Sequence, residues 1–365
     1  MVADRDAFFM RKALLLAERG RSTTSPNPMV GALLVSGDGV VVGRGAHQYA
    51  GGPHAEVFAL EDAGEAASGA TLYCTLEPCS HYGRTGPCAP RVASAGVRRV
   101  VVATEDPNPE VAGRGLGLLR QHGIEVRTGV LSRDAKRLNA PFFTAMRLGR
   151  PFITLKVAVS QDGRVAAAIG ARTPLTGPAA NRQVHRDRAE VDAIAIGSGT
   201  MLSDDPLLTP RGAYRRRSLV RVVFDSRLRT PPTARIFGTR DAGPIIIVGS
   251  PVAPAAAERR DALIAAGATV SLVPGPDRIG TTLTWLAHHR VQSLIVEGGP
   301  TLHEAFWDAA VVDRVQIYVT PHVLGNAGVP WRRSPSMVSA SALSDRSVRL
   351  LGDDVLIEGY VHRPD

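Results

Sequence analysis

A histidine, a glutamate and two cysteines in the first quarter of the chain constrain what the rest can fold into. They lie in Pro53-His54-Ala55-Glu56 and in Thr75-Leu76-Glu77-Pro78-Cys79-Ser80-His81-Tyr82-Gly83-Arg84-Thr85-Gly86-Pro87-Cys88. One imidazole and two thiols at this spacing can supply three ligands to a zinc ion. Three protein ligands leave the fourth tetrahedral position open for water, which is the arrangement of a catalytic zinc rather than a structural one. Two thiolates also offset the ion's charge, and zinc makes water acidic enough to act as a nucleophile near neutral pH. Glu56 sits two residues past the histidine, placed to shuttle protons without being a ligand.

Simpler readings compete with this one. His-x-Glu alone carries no information, and two cysteines nine apart can form a disulfide or lie buried as separate thiols. The chain holds only three cysteines, however, and Met1–Arg11 does not read as a signal peptide. A cytoplasmic location follows, where disulfides are disfavoured. His-x-Glu followed by Pro-Cys and a further Cys is the pattern of zinc deaminases, in which water attacks an amine-bearing ring carbon. Cys74 lies in Thr71–Thr75, which reads as a buried strand, and is expected to be a packed free thiol.

With 365 residues the chain is long enough for two or three domains. No apolar run approaches the roughly 18 residues of a membrane span. The net charge of +9 invites a nucleic-acid partner, but the basic residues are scattered and only Lys12, Lys136 and Lys156 are lysines. The densest run, Arg215-Arg216-Arg217, has no interleaved aromatics, so a solvated basic surface is the better reading. Such a field also suits small anionic substrates.

Hydrophobic periodicity predicts a helix over Asp6–Arg19 with Phe9, Ala13, Leu16 and Ala17 inward. A hairpin of Val30–Val35 and Val40–Arg44 follows, then a helix through Ala67 and a strand at Thr71–Thr75. Next come a helix after Pro87, a strand at Arg99–Ala103, a helix at Gly115–Gln121, a strand at Ile124–Arg127 and a helix near Arg133–Met146. Leu148-Gly149-Arg150-Pro151 reads as a boundary, giving domains 1–147 and 151–365. Beyond it, strands are expected at Phe152–Val157, Ala193–Ile196, Val220–Asp225, Pro244–Val248, Thr269–Val273, Ser293–Glu297, Val315–Val319 and Val355–Val361. Helices are expected at Pro178–Arg188, Ala255–Ala266, Thr281–His289 and Thr301–Ala309. The alternation implies α/β sheets with helices on their faces. Both ligand clusters fall just past strands, at helix starts, where the helix dipole favours thiolates.

In the second half, Glu297-Gly298-Gly299-Pro300-Thr301-Leu302 and Gly197-Ser198-Gly199-Thr200 both run from a strand end into a glycine turn. Each is either an anion-binding turn or merely a tight one. Asp204-Asp205-Pro206 is either a helix cap or a polar substrate contact. Lys156 stands out in a chain that otherwise uses arginine, because an ammonium readily donates a proton.

At this point the sequence resembles the bifunctional riboflavin biosynthesis family RibD. The zinc motifs carry the resemblance, with Asp106-Pro-Asn-Pro-Glu-Val-Ala-Gly-Arg-Gly115, Leu155-Lys-Val-Ala-Val-Ser-Gln-Asp-Gly-Arg164, Gly199-Thr-Met-Leu-Ser-Asp-Asp-Pro206 and Glu297–Leu302. It implies a cytidine-deaminase-like zinc domain followed by a dihydrofolate-reductase-like domain using NADPH. The substrates implied are phosphorylated pyrimidines: a diaminohydroxyphosphoribosylaminopyrimidine to be deaminated, then a phosphoribosylaminouracil to be reduced. By motif, His54, Cys79 and Cys88 would hold zinc, Glu56 would move protons, and Asn27, His47 and Arg84 would contact the pyrimidine. Lys156, Asp204 and Glu297 would surround the ribose, with Leu208 beside it and Arg188 and Arg211 on its phosphate. NADPH would lie along Ala158, Thr200, Asp204, Ser226 and the turn Gly299, Pro300, Thr301, Leu302, His303, Glu304 and Ala305. A homo-oligomer, without nucleic-acid or membrane partners, is expected.

One departure stands out. Arg172-Thr173-Pro174 occupies the place where the resemblance leads one to expect Ser-x-Trp. Two rival readings are a nucleoside or tRNA deaminase with an accessory domain and a non-catalytic metal-binding module. The first leaves the second half of the chain without a purpose, and the second gives no reason for Glu56.

Overall fold

The computed structural model describes residues 2–80, 86–108, 111–252, 256–331 and 343–362. The chain forms two compact units, the first running through Gly149 and the second beginning at Arg150.

In the first unit, helix α1 (Val2–Ala17) leads into strands β1 (Gly31–Val35) and β2 (Val41–Ala46), then helix α2 (Ala55–Ala63) and strand β3 (Thr71–Cys74). Helix α3 (Cys88–Ser94), strand β4 (Arg99–Val102), helix α4 (Arg114–Gln121), strand β5 (Glu125–Thr128) and helices α5 (Ser132–Leu138) and α6 (Ala140–Leu148) complete it. The sheet order is β2-β1-β3-β4-β5. Strand β1 runs antiparallel to β2 and β3, and β3, β4 and β5 are mutually parallel. Phe9, Met10, Ala13, Leu16 and Ala17 of α1 are buried against one sheet face, as the helical spacing predicts.

Glycines seat α2 on the sheet. A Cβ on Gly45 would lie 1.9 Å from the Ala55 carbonyl oxygen, and one on Gly43 would lie 2.2 Å from that of Ala59. Only a glycine pair in β2 lets the helix that begins next to His54 approach so closely.

The single helix expected near Arg133–Met146 is two. Asn139 breaks it because its side chain pairs with the backbone of Met29, accepting from N–H and donating to C=O, both at 2.8 Å. The helix expected through Ala67 ends as α-helix at Ala63 and tightens into a 3₁₀ turn over Gly64–Ala67.

The second unit contains β6 (Phe152–Ser160), β7 (Arg164–Ala166), α7 (Pro178–Glu190), β8 (Ala193–Gly197), α8 (Ser198–Asp204), β9 (Val220–Phe224) and β10 (Ile245–Gly249). It continues with α9 (Ala256–Ala265), β11 (Thr269–Leu272), α10 (Arg278–His288), β12 (Ser293–Glu297), α11 (Pro300–Asp308) and β13 (Arg314–Thr320). Strands β14 (Val329–Pro330), β15 (Ser344–Leu351) and β16 (Asp354–Tyr360) close it. Nine strands form one sheet in the order β11-β10-β9-β8-β12-β6-β13-β16-β15. From β11 to β13 the pairs are parallel, while β16 and β15 add on antiparallel. The central strands are apolar on both faces, as helices on either side require. Strands β7, β14 and β15 and helix α8 were not expected. Strand β15 is an edge strand whose Val348 and Leu350 are exposed, so it lacks the inward apolar alternation that reveals a strand. Among the described residues no helix is long and apolar enough to cross a membrane.

Candidate active sites

In the first unit, His54 is the residue just before α2, Cys79 lies in the segment after β3, and Cys88 opens α3. The imidazole Nδ1 of His54 is 3.5 Å from Cys79 Sγ and 3.3 Å from Cys88 Sγ, and all three donor atoms lie within 4.8 Å of one another. Zinc sits roughly 2.0–2.3 Å from nitrogen and sulfur ligands. Donors separated by these distances can surround one such ion, and one imidazole with two thiols is a zinc-type donor set. The Cys88 N–H also donates to Cys79 Sγ at 3.4 Å. The hydrogen bond from Cys88 draws the Cys79 thiol down to about 4, with His54 contributing, while that shared proton and burial push Cys88 up. Cys74 is fully buried in β3, and burial raises its thiol well above the usual range.

Glu56 lies in the first turn of α2 and is only 3 % exposed. Burial pushes its carboxyl up to about 7, against the pull of His54. A carboxyl near neutrality beside a water-activating centre can take up and release a proton. Asn27 and His47 come together here: the Asn27 side-chain amide donates to His47 Nε2 at 3.1 Å, and His47 Nδ1–H donates to the Pro53 carbonyl at 2.9 Å. Burial lowers the His47 pKa, with the hydrogen bond to the Pro53 carbonyl opposing the shift. The rings of His47 and His54 meet edge to face at 5.6 Å. Arg84 lies outside the described residues.

Glu77 was overlooked as more than part of a motif. Its buried carboxylate accepts from the N–H groups of Asp106 at 3.3 Å, Gly113 at 3.0 Å, Gly115 at 3.0 Å and Leu116 at 3.3 Å. A Cβ on Gly115 would lie 1.9 Å from the Pro78 carbonyl oxygen. The segment entering α4 is thereby bound beneath the Pro78-Cys79 turn. A glutamate two residues before a ligand is the only signal the sequence offered.

In the second unit, parallel pairing places Glu297 at the end of β12 in register with Lys156 on β6. Arg188 of α7 grips Glu297 through two hydrogen bonds of 2.8 Å, and Lys156 Nζ lies 3.9 Å from Glu297 Oε2. Burial opposes the Glu297 charge, but Arg188 and Lys156 together hold the carboxyl down to about 2. Burial lowers the Lys156 pKa, with Glu297 opposing the shift. Arg188 also donates to the Thr209 carbonyl at 3.4 Å, and the Arg211 N–H donates to His185 Nδ1 at 3.1 Å. Arg211 is exposed, and partial burial with Arg188, Arg235 and Arg172 nearby lowers its pKa. Leu208 is buried in the apolar core with Ile194, Ile196 and Met201, at a left-handed φ of 53°.

The two glycine turns converge. A Cβ on Gly298 or Gly299 would lie 3.6 or 3.9 Å from Thr200 Oγ1, and one on Gly197 would lie 3.6 Å from Leu302 Cβ. Asp204 ends α8, half-buried, and accepts from Ser203 Oγ at 2.7 Å. Ala158 is half-buried on β6, and Ser226 is exposed just past β9. Thr301 and Ala305 face outward on α11, with Leu302 and Glu304 partly exposed. The His303 side chain is turned into the core, where Nδ1 accepts from Trp331 Nε1 at 3.0 Å and burial holds its pKa down to about 3. Pro300 is buried as well.

Residues 151–357 match the family model of the RibD C-terminal domain, and residues 3–104 match the cytidine and deoxycytidylate deaminase zinc-binding region. The riboflavin biosynthesis protein RibD of Escherichia coli is 40% identical, with 97% of this chain and 98% of that protein covered. The chain belongs to the RibD family. A RibD protein of Aquifex aeolicus is 37% identical over 98% of this chain and 99% of its own length. The solved structure of RibD from Acinetobacter baumannii superposes with a TM-score of 0.86 at 37% identity, covering 98% of this chain and 99% of that one. A Thermotoga maritima structure described as a diaminohydroxyphosphoribosylaminopyrimidine deaminase/5-amino-6-(5-phosphoribosylamino)uracil reductase superposes with a TM-score of 0.85 at 31% identity, each chain 99% covered. Like other RibD proteins, the chain joins a zinc-dependent deaminase of cytidine-deaminase type to an NADPH-dependent reductase of riboflavin biosynthesis.

Proposed function

We propose that the first unit hydrolyses the ring amine of diaminohydroxyphosphoribosylaminopyrimidine and that the second reduces the resulting 5-amino-6-(5-phosphoribosylamino)uracil to its ribitylamino product. The pairing of a His54–Cys79–Cys88 triangle with buried Glu56 carries this reading, because deamination needs both an activated water and a proton carrier. His54, Cys79 and Cys88 would hold zinc, which would supply a water of lowered pKa. Glu56 takes its proton and returns it to the departing amine, which leaves as ammonia. Asn27 and His47, hydrogen-bonded to each other, orient the pyrimidine edge, and Arg84 contributes to the same substrate.

In the second unit Ala158, Thr200, Asp204, Ser226 and the start of α11 would hold NADPH, which would supply a hydride for the opened sugar carbon. Lys156 holds the proton that balances the hydride, with the Arg188-bound Glu297 carboxylate 3.9 Å away, and Arg188 and Arg211 carry the positive charge that meets the sugar phosphate. The cytoplasm is the compartment that fits three cysteines without a disulfide among the described residues.

Supplying the diaminopyrimidine substrate alone should release one ammonia per substrate and stop at the uracil. Adding NADPH should carry it to the ribityl product. Ammonia release without NADPH oxidation would overturn the second assignment.

Arg172 replaces the expected serine, and Pro174 the expected tryptophan. An indole packed on a cofactor contributes roughly 0.5–1.5 kcal/mol beyond its burial, and proline supplies none of it. Arg172 instead adds a cation close enough to depress Arg211. Binding of the phosphorylated ligands should therefore rest more on charge. Arg172→Ala is expected to weaken substrate or NADPH binding several-fold at low salt and to reduce the salt dependence. Titrations of both ligands at two ionic strengths check this.

A further inference from the structure

We propose that Tyr318 is a positioning residue of the reductase site, its ring face holding the Lys156 ammonium charged and in place. The proposal rests on the reading of Lys156 as the proton-holding group. Strands β6 and β13 are parallel neighbours, with Lys156 opposite Gln316 and Ala158 opposite Tyr318. This offset of two residues puts both side chains on one face of the sheet. Lys156 Nζ lies over the Tyr318 ring, 5.3 Å from its centroid, within the range of a cation–π contact. The ring is fully buried, and its hydroxyl donates to Asp187 Oδ2 at 3.0 Å. Asp187 also accepts from Gln183 at 2.8 Å, so the far end of the ring is tied to α7. The next residue on that helix is Arg188, which grips Glu297. One turn of α7 thus anchors both groups that face the ammonium.

The ring is needed because Glu297 is already committed. Its two oxygens accept from Arg188 at 2.8 Å, leaving Lys156 a contact of 3.9 Å. The charged groups acting on Lys156 are Glu297 on β12 with Arg188 and Asp187 on α7, and buried, neutral His303 on α11 lies near enough to feel its charge. Arg188 repels the ammonium and burial disfavours it, so the negative face of an aromatic ring supplies compensation that adds no further titrating group near neutral pH. Removing that face lowers the Lys156 pKa, so the form that carries a proton is lost at lower pH.

The test is the pH dependence of reductase kcat with 5-amino-6-(5-phosphoribosylamino)uracil and NADPH on the full chain. Wild type should lose rate on the basic side as Lys156 deprotonates. Tyr318→Leu should move that limb down by about one pH unit. Tyr318→Phe keeps the ring and should leave the limb in place. Replacing the phenylalanine of that variant by a ring-fluorinated analogue preserves shape while weakening the negative face, and should shift the limb as Tyr318→Leu does even if the leucine variant fails to fold. A kcat lowered equally at all pH values, with the limb unmoved in the leucine and fluorinated variants, overturns the proposal. Lys156→Met separates the two levels: if it retains reductase activity, the reading of Lys156 itself fails.

Discussion

Glu56→Gln is expected to cut ammonia release by about 10²–10⁴-fold, the range over which a positioned acid–base group acts. Glutamine preserves the shape of a side chain that is 3 % exposed, so the first turn of α2 should stay intact. The ligand atoms of His54, Cys79 and Cys88 are untouched, and metal analysis should still find one zinc per chain. Reduction of the already deaminated substrate should continue at the wild-type rate, because the residues proposed for it lie beyond Arg150. Both activities collapsing in a folded, zinc-loaded variant would contradict a division of labour between the two units. Ammonia release persisting at the wild-type rate would remove Glu56 from the chemistry.

Cys88→Ser is expected to strip most of the zinc, and deamination with it. A hydroxyl is a harder and far less acidic donor than a thiol, and it replaces a sulfur 3.3 Å from His54 Nδ1. Groups that merely orient a metal ligand change affinity by roughly 10–100-fold, so loss of a ligand should exceed that range. Cys74→Ser is the control. Its thiol is fully buried one strand end away and belongs to the packing of β3. That variant should lose stability rather than metal. Zinc content measured after dialysis decides between them, and retention by Cys88→Ser with loss by Cys74→Ser would overturn the ligand set.

The triangle of His54, Cys79 and Cys88 was legible because a metal site needs specific residue types at short spacing, and these survive as a string of letters. The sheet centres were legible for a similar reason. Leu294, Ile295 and Val296 form an apolar run bounded by polar residues, the pattern of a strand covered on both faces. What failed to show depended on distant partners. Asn139 looks like any polar helix residue until Met29, more than a hundred positions earlier, takes up its amide. Tyr318 reads as one more β-strand aromatic, and only the register of β13 against β6 brings it under Lys156. His303 falls in the expected helix Thr301–Ala309, and only the phase of that helix, set by its packing, turns it inward toward Trp331. Strand β15 escaped notice because an edge strand with exposed Val348 and Leu350 has no inward-facing pattern to read.

The four N–H groups gathered by Glu77 bear on where the chain can be cut. The recognisable zinc-binding region stops at residue 104, yet the four N–H groups that donate to that carboxylate among the described residues come from Asp106 or later. A fragment ending at residue 104 would leave a buried anion with no hydrogen bond from those groups, a loss that costs about 1–3 kcal/mol or more for a charged group. It would also lack Arg127, which pairs with Asp6 at 2.6 Å, and Asn139, which braces the backbone beside Asn27. The smallest excisable deaminase is therefore set by these tethers and extends to the end of α6, so dissection of the two activities belongs at Gly149.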